Sequence, residues 1–181
     1  MKYLIKSFVL IFISCYLCLG HTSDKSVTWI LDEKGCKVAN VFPQEDETIT
    51  WTGKCDNYLA NGQGKLTWKI KGKVTNVYEG NMVKGWAEGK GTLTRETGVY
   101  KGEWKQSLQH GKGHYKHYDG SWYDGYWKEG HPHGHGQMLT PDGRLISGTW
   151  YDGVYEDEKK ATDDLTLIYY RLKLLEKIQQ T

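Results

Sequence analysis

Aromatic residues and glycines alternate with a period of two in the middle of the chain. In Tyr100-Lys-Gly102-Glu-Trp104 the two rings and the glycine between them occupy every second position, and charged residues fill the gaps. Every second residue of an extended strand points to the same face. The pattern therefore predicts a β-strand with one aromatic face and one polar face.

This strand pattern recurs along the chain, at 51–55, 78–82, 100–104, 123–127 and 146–150, with steps of 27, 22, 23 and 23 residues. Each of the first four copies is followed by a Gly-x-Gly pair, at Gly62/Gly64, Gly89/Gly91, Gly111/Gly113 and Gly134/Gly136. The two signatures predict a β-hairpin, because a second glycine-marked strand follows the aromatic strand. The predicted units are 51–77, 78–99, 100–122 and 123–145, with a partial copy at 146–153 that lacks its second strand.

One hairpin buries too little apolar surface to be stable alone, so the copies are expected to stack into one antiparallel ribbon. The extra residues of the first copy are expected in a loop around Lys69 to Asn76. A glycine between two rings weakens a strand by itself. We expect it to make room for a ring from the partner strand or from a neighbouring unit.

The repeated unit resembles the MORN repeat, whose pattern is an aromatic-x-Gly-x-aromatic strand followed by Gly-x-Gly. The likeness runs from Trp51 to about Gly153, and Cys55 and Met82 depart from it where tryptophan is usual. The resemblance implies an elongated all-β ribbon of antiparallel hairpins used for assembly, membrane association or partner binding. It names no ligand.

The first 20 residues have the layout of a secretory signal peptide. Lys2 and Lys6 precede an apolar stretch from Ser7 to Leu19, which predicts cleavage near Gly20 and export to a periplasm or the outside. An uncleaved membrane anchor is the alternative, although the stretch is short for a span of about 20 residues. Cleavage would lower the formal net charge from +2 to zero, because two of the 24 basic residues are lost against 22 acidic ones.

Residues 21–50 form a predicted lead-in to the repeats, with a strand at 26–31 that places Val27, Trp29 and Leu31 on one face. Cys36 and Cys55 are the cysteines left after cleavage, and an even pair in an exported domain predicts a disulfide. Two free thiols are expected if export is wrong. Cys55 stands in a repeat slot, so the bond would clamp the lead-in to the start of the ribbon and cover its edge.

The spacing of apolar residues within 154–181 predicts a linker followed by a C-terminal α-helix with one apolar face. The helix would either cap the last hairpin or protrude for dimerisation or partner docking. Its apolar face consists of Leu165, Ile168, Leu172 and Leu175.

Six of the seven histidines lie between residues 110 and 135, and such a cluster can form a metal site. The four weak candidate ligands are His110, His114, His133 and His135. His110 and His133 share one repeat slot, which is expected to be a polar turn, and His131 and His133 flank Pro132 as in a loop. No cysteine or carboxylate pair joins them at tight spacing, and the expectation is a protein without metal or other cofactor.

No enzyme signature is found. The sequence has no Gly-x-Ser-x-Gly elbow, phosphate loop or dinucleotide fingerprint, and its Asp-Gly pairs at 119, 124, 142 and 152 are expected turns. Residues 60–135 carry twelve basic and seven acidic side chains, which is too small a surplus for nucleic-acid binding but compatible with anionic lipid or glycan contact.

Two functions remain open. The first is an exported, non-catalytic scaffold that binds a protein partner or self-associates at the cell envelope. The second is a carbohydrate- or anionic-lipid-binding module that uses exposed rings beside lysines. Buried repeat rings favour the first, and a row of exposed rings favours the second. The aromatic residues outside the repeat slots that are candidates for binding are Trp68, Trp86, Trp122 and Tyr126, followed by Tyr118 and Tyr151.

Overall fold

The computed structural model describes residues 27–157, together with 165 and 168. These residues form thirteen strands in one sheet. The strands are β1 (Thr28–Leu31), β2 (Lys37–Asn40), β3 (Glu47–Trp51), β4 (Lys54–Asp56), β5 (Leu59–Ile70), β6 (Lys73–Val83), β7 (Trp86–Arg95), β8 (Gly98–Lys105), β9 (Leu108–His117), β10 (Trp122–Lys128), β11 (His131–Leu139), β12 (Leu145–Tyr151) and β13 (Val154–Tyr155).

From β5 to β13 each strand pairs antiparallel with the next, which confirms the predicted ribbon of hairpins. The connections from β4, β6, β8, β10 and β12 to the next strand are two-residue turns along one edge. Both turn residues have positive φ, as in Lys84 (49°) and Gly85 (84°) or Gln106 (48°) and Ser107 (61°). Such type I′ turns match the right-handed twist of paired strands. Asp152-Gly153 forms one of them, whereas Asp124-Gly125 lies inside β10 and is not the turn expected.

The two glycines of each Gly-x-Gly pair have different physical roles. The first takes a positive φ, as in Gly62 (75°) and Gly134 (81°), where a side chain would be strained. The second lies in a row of glycines that crosses the whole ribbon, and each member pairs with the next. The row is Gly64, Gly80, Gly91, Gly102, Gly113, Gly125, Gly136 and Gly148.

Tyrosine rings lie over this glycine row. A Cβ built on Gly102 or Gly113 would overlap the Tyr100 ring, because that ring crosses from its own strand onto the partner strand. The expected ring from a neighbouring strand is thus found over Gly113, but the ring over Gly102 comes from the same strand. The Tyr100 hydroxyl then donates a hydrogen bond to the Glu103 carbonyl at 2.9 Å.

Tryptophans join the tyrosines of successive hairpins into one ladder of edge-to-face contacts. Trp127, for example, meets Tyr100 with ring centroids 5.1 Å apart and Tyr123 at 5.3 Å. Such contacts contribute about 0.5–1.5 kcal/mol each beyond the burial of area. The predicted burial of the repeat rings is confirmed, since all but the terminal ring are at most 8% exposed. In spatial order the ladder is Tyr78, Trp104, Tyr100, Trp127, Tyr123, Trp150 and Tyr155.

The partial fifth copy does have a second strand, contrary to the sequence prediction. The Asp152-Gly153 turn reverses the chain, and β13 pairs Trp150 with Tyr155. Ile146 occupies the usual tyrosine slot of this copy, and the Tyr155 ring covers Gly148 instead. A two-residue strand was not visible as a pattern because it is too short to show alternation.

The extra residues of the first copy also differ from the expected loop. They extend β5 and β6 to a turn at Lys71-Gly72, and the extension of β5 pairs with β3 on its other side. The extension contains a β-bulge, since Trp68 pairs with Asn76 but Lys69 pairs with Val74. Thr75 is the inserted residue of the bulge.

The lead-in packs on the N-terminal end of the ribbon, and the disulfide between Cys36 and Cys55 confirms the predicted clamp. Val38 on β2 is 1% exposed. β1 covers the edge beyond β2, and its Trp29 meets Trp86 edge to face with centroids 5.8 Å apart.

The predicted signal peptide lies outside the described residues. Most of the predicted C-terminal helix, including Leu172 and Leu175, lies outside them as well, so the helix stays a prediction. Leu165 and Ile168 are described and are 68% and 51% exposed. Within the described part of the chain, no helix is long and apolar enough to cross a membrane.

Candidate functional site

The surface opposite the aromatic ladder is a shallow, open groove of about 940 Å³ that crosses strands β5 to β10. Strand alternation places charged side chains there, because they occupy the positions between the glycines and the rings. We call this surface the polar face and define it by Lys65, Glu79, Lys90, Lys101, Glu103, Lys112, His114 and Asp124.

Ion pairs on the polar face use only some of its lysines. Lys65 pairs with Glu79 at 3.4 Å, and both side chains are at least half exposed, so the contact contributes little stability. Among the described residues no carboxylate lies within ion-pair distance of Lys90, Lys101 or Lys112. These three ammonium groups come from adjacent strands β7, β8 and β9 and remain available to an anionic partner.

The candidate aromatic residues do not form one row. Trp68 lies on the aromatic face and packs against the core, whereas Trp86, Trp122 and Tyr126 lie on the opposite side. Trp86 and Trp122 are half-buried, and Tyr126 is 45% exposed with the Lys112 ammonium 5.5 Å from its ring centroid. A flat carbohydrate platform is therefore not assembled among these four rings.

The histidines lie on strands β9 and β11, so the expected turn and loop positions are wrong. Hydrogen bonds to the neighbouring strands hold the backbone of these histidines in the extended conformation. His131 is the first residue of β11, and the following residue, Pro132, is buried. His114 Nδ1 is 3.3 Å from Asp124 Oδ2, and His133 Nδ1 is 3.1 Å from Asp152 Oδ1. Nowhere in the described ranges do three His, Cys, Asp or Glu side chains converge as metal ligands do.

Comparison with known families matches the MORN repeat model at four consecutive segments, residues 57–73, 78–99, 100–122 and 123–143. The chain is a MORN-repeat protein. No curated protein matches it. MORN repeats are generally protein- or membrane-interaction modules.

In this MORN ribbon, burial favours the neutral state of three ladder tyrosines, Tyr78, Tyr100 and Tyr123. Burial raises the pKa of Tyr78 and Tyr100 well above the usual value, and the nearby Glu88 and Glu103 carboxylates add to the effect. Burial, with Asp124 as the second cause, raises the pKa of Tyr123 to about 12. These phenols serve as structural hydrogen-bond donors, so the chemistry available to a partner lies on the polar face.

The sequence predicts a polar face on each strand, but it did not identify the unpaired lysines there as candidate binding residues, although a signal for their position exists. The residue inside each Gly-x-Gly pair is Gln63, Lys90, Lys112 or His135, and Lys101 follows the tyrosine of the third copy. Period two places these side chains opposite the rings. Which of them lack a carboxylate partner depends on cross-strand register, which the repeat alone did not give.

Proposed function

We propose that this MORN-repeat protein is an exported, non-catalytic scaffold whose polar face binds an acidic surface of a partner protein at the cell envelope. The observation that carries the proposal is the difference between the two faces of the sheet. The repeat rings are buried against one another in the ladder, whereas Lys90, Lys101 and Lys112 are exposed and have no acidic partner in the described structure.

Export is supported by the disulfide and by the sequence pattern of the first 20 residues. A disulfide persists in oxidising compartments and is rare in the cytosol. The non-catalytic assignment rests on the sequence, which has no nucleophile elbow or phosphate loop, and on the open form of the groove.

Affinity capture with residues 21–181 from an envelope extract tests the scaffold. We expect the wild type to retain one defined protein at moderate salt. The triple variant Lys90→Glu, Lys101→Glu, Lys112→Glu should fail to retain it. The matched control is Lys34→Glu, Lys54→Glu, Lys71→Glu, which makes the same charge change at exposed lysines away from the groove. Equal retention by both triple variants would contradict binding through the polar face.

A second candidate ligand is an anionic lipid or glycan, favoured by the exposed Tyr126 ring and the lysine next to it. Sedimentation with phosphatidylserine vesicles distinguishes the two. Salt-sensitive sedimentation that the polar-face triple variant abolishes, together with no protein captured, would replace the protein partner by a membrane surface.

A further inference from the structure

The lead-in and the first hairpins line a partly open cavity of about 110 Å³ between β2 and the aromatic face of the ribbon. The walls are mostly apolar and buried, and they come from both parts of the fold. They include Val38, Leu66, Tyr78, Met82, Leu93 and Trp104. This cavity lies on the opposite side of the sheet from the polar face.

The first copy is the longest of the repeats, and its extension supplies the polar end of the cavity. Trp68, Asn76 and Arg95 are cross-strand neighbours in one row of β5, β6 and β7. The β-bulge next to this row turns the inserted Thr75 so that it also lines the cavity. Bulges commonly redirect a side chain toward a site.

Two polar groups at this end have no partner among the described residues. The Thr75 hydroxyl is buried and makes no hydrogen bond with any of them. The Arg95 guanidinium makes no ion pair or side-chain hydrogen bond with any described residue, and its burial lowers its pKa. A buried hydroxyl without a hydrogen bond is destabilising, and a half-buried guanidinium without a counter-ion is ready to bind an anion.

The one carboxylate that lines the cavity is already engaged. Glu47 Oε2 accepts hydrogen bonds from Asn40 Nδ2 at 2.8 Å and from the Gln44 amide at 2.9 Å, so it is held by the lead-in. Arg95 and Glu47 form no ion pair. Within the described residues the Arg95 guanidinium therefore has no carboxylate partner, and it is available to an anion that enters the cavity.

We propose that this cavity binds a small organic carboxylate with a short apolar tail. A guanidinium binds a carboxylate through two parallel hydrogen bonds, and the Thr75 hydroxyl is a further donor beside it. The tail would occupy the apolar walls. A cavity of about 150 Å³ accepts benzene, so the present one accommodates a tail of about four to five carbon atoms.

Titration of ¹⁵N-labelled residues 21–181 with pentanoate, followed by NMR, tests the site. We expect saturable shifts that include the Trp68 indole, and about tenfold weaker binding in Arg95→Gln, since a hydrogen bond to a charged group is worth about 1.5–3 kcal/mol. Lys101→Gln, a matched loss of charge on the polar face, should bind pentanoate like the wild type. Pentan-1-ol has a similar shape without the charge, and its weaker binding should not depend on Arg95.

Thr75→Val gives an independent readout if Arg95→Gln does not fold. This nearly isosteric change removes the unpartnered hydroxyl, so we expect the protein to be more stable and yet to bind pentanoate several-fold more weakly. Absence of saturable shifts in the folded wild type would overturn the proposal. Equal binding of pentanoate and pentan-1-ol, or shifts confined to the polar face, would overturn it as well.

Discussion

The rings of Tyr100 and Trp104 meet edge to face with centroids 5.2 Å apart and planes at 90°. Trp104 also meets Tyr78 of the preceding hairpin at 5.2 Å, and its indole donates to the Gly91 carbonyl at 3.1 Å. Trp104 and Trp127 thus each join two hairpins by ring contact and by a hydrogen bond, whereas the Trp150 indole makes only ring contacts within the described residues. The repeats are consequently expected to unfold together rather than one hairpin at a time.

Gly102→Ala should destabilise the ribbon strongly. The new Cβ would overlap the Tyr100 hydroxyl and lie 2.6 Å from Gly113 Cα. Because Gly113 Cα is a backbone atom of the paired strand, it cannot move away without disturbing the sheet. We expect a loss of about 3 kcal/mol or more in the free energy of unfolding, measured by urea denaturation. Gly120→Ala is the control, because nothing lies within 4 Å of its Cβ and it should cost only about 1–2 kcal/mol for its φ of 94°. Equal losses would show that the ring over the glycine row is not the constraint.

Removing the disulfide should loosen the N-terminal end. The bond closes a loop of 19 residues, so Cys36→Ala with Cys55→Ala is expected to cost about 3 kcal/mol. The measurement is the melting temperature with and without dithiothreitol. The reductant should lower the wild-type value toward that of the double variant and leave the double variant unchanged.

The ladder should lose stability at alkaline pH. Tyrosines have an unfolded pKa near 10, whereas the pKa of Tyr123 in the fold is raised to about 12, and those of Tyr78 and Tyr100 are raised as well. The unfolded chain loses these protons first, so their contribution is complete below pH 10 and declines from there as the pH rises.

Circular dichroism and phenolate absorbance at 295 nm, recorded on the same samples, test this. We expect the phenols of Tyr78, Tyr100 and Tyr123 to ionise only together with loss of the β signal. Tyr123→Phe removes one of these phenols, so it should diminish the absorbance change that accompanies that loss. Ionisation of all phenols before any change in the β signal would contradict the prediction.

The sequence predicted those parts of the fold that recur in every hairpin. Period-two alternation and 22- to 23-residue steps predicted the hairpins because Gly102 has a counterpart in every copy, and Tyr100 and Trp104 have aromatic counterparts in most of them. Unrepeated features were missed. The extension that contains Thr75 has no counterpart in the other copies, so its pattern suggests a loop. β13, whose Tyr155 covers Gly148, has only two residues and is too short to show alternation.

The turn edge offers a stabilising change. Tyr58 has φ of 62° and is 74% exposed, in the turn position where other copies have Gly85 or Gly130. Tyr58→Gly should raise the free energy of unfolding by about 0.5–1 kcal/mol by relieving left-handed strain. Ser107→Gly relieves the same strain but removes the Oγ that accepts from the Ala87 amide at 3.1 Å, so it should gain less. Denaturant midpoints of both variants, at unchanged slope, provide the check.

The functional surfaces were less predictable than the fold. The sequence identified Cys36 and Cys55 because an even number of cysteines after the predicted cleavage suffices for that pairing. It could not show that Lys101 faces His114 and a threonine rather than a carboxylate, since this follows from register between strands. Nor could it show that Arg95 enters the cavity, because the lead-in that covers it has no repeat partner.

The glycine row fixes the length of the ribbon by the number of its hairpins. Because neighbouring strands lie about 4.8 Å apart, each added hairpin lengthens the sheet by about 10 Å along the row without altering its register. The distance between the clamped N-terminal end and the C-terminal segment is therefore set in whole increments by the number of copies. Gain or loss of one copy in evolution would move whatever binds at the two ends by one fixed step.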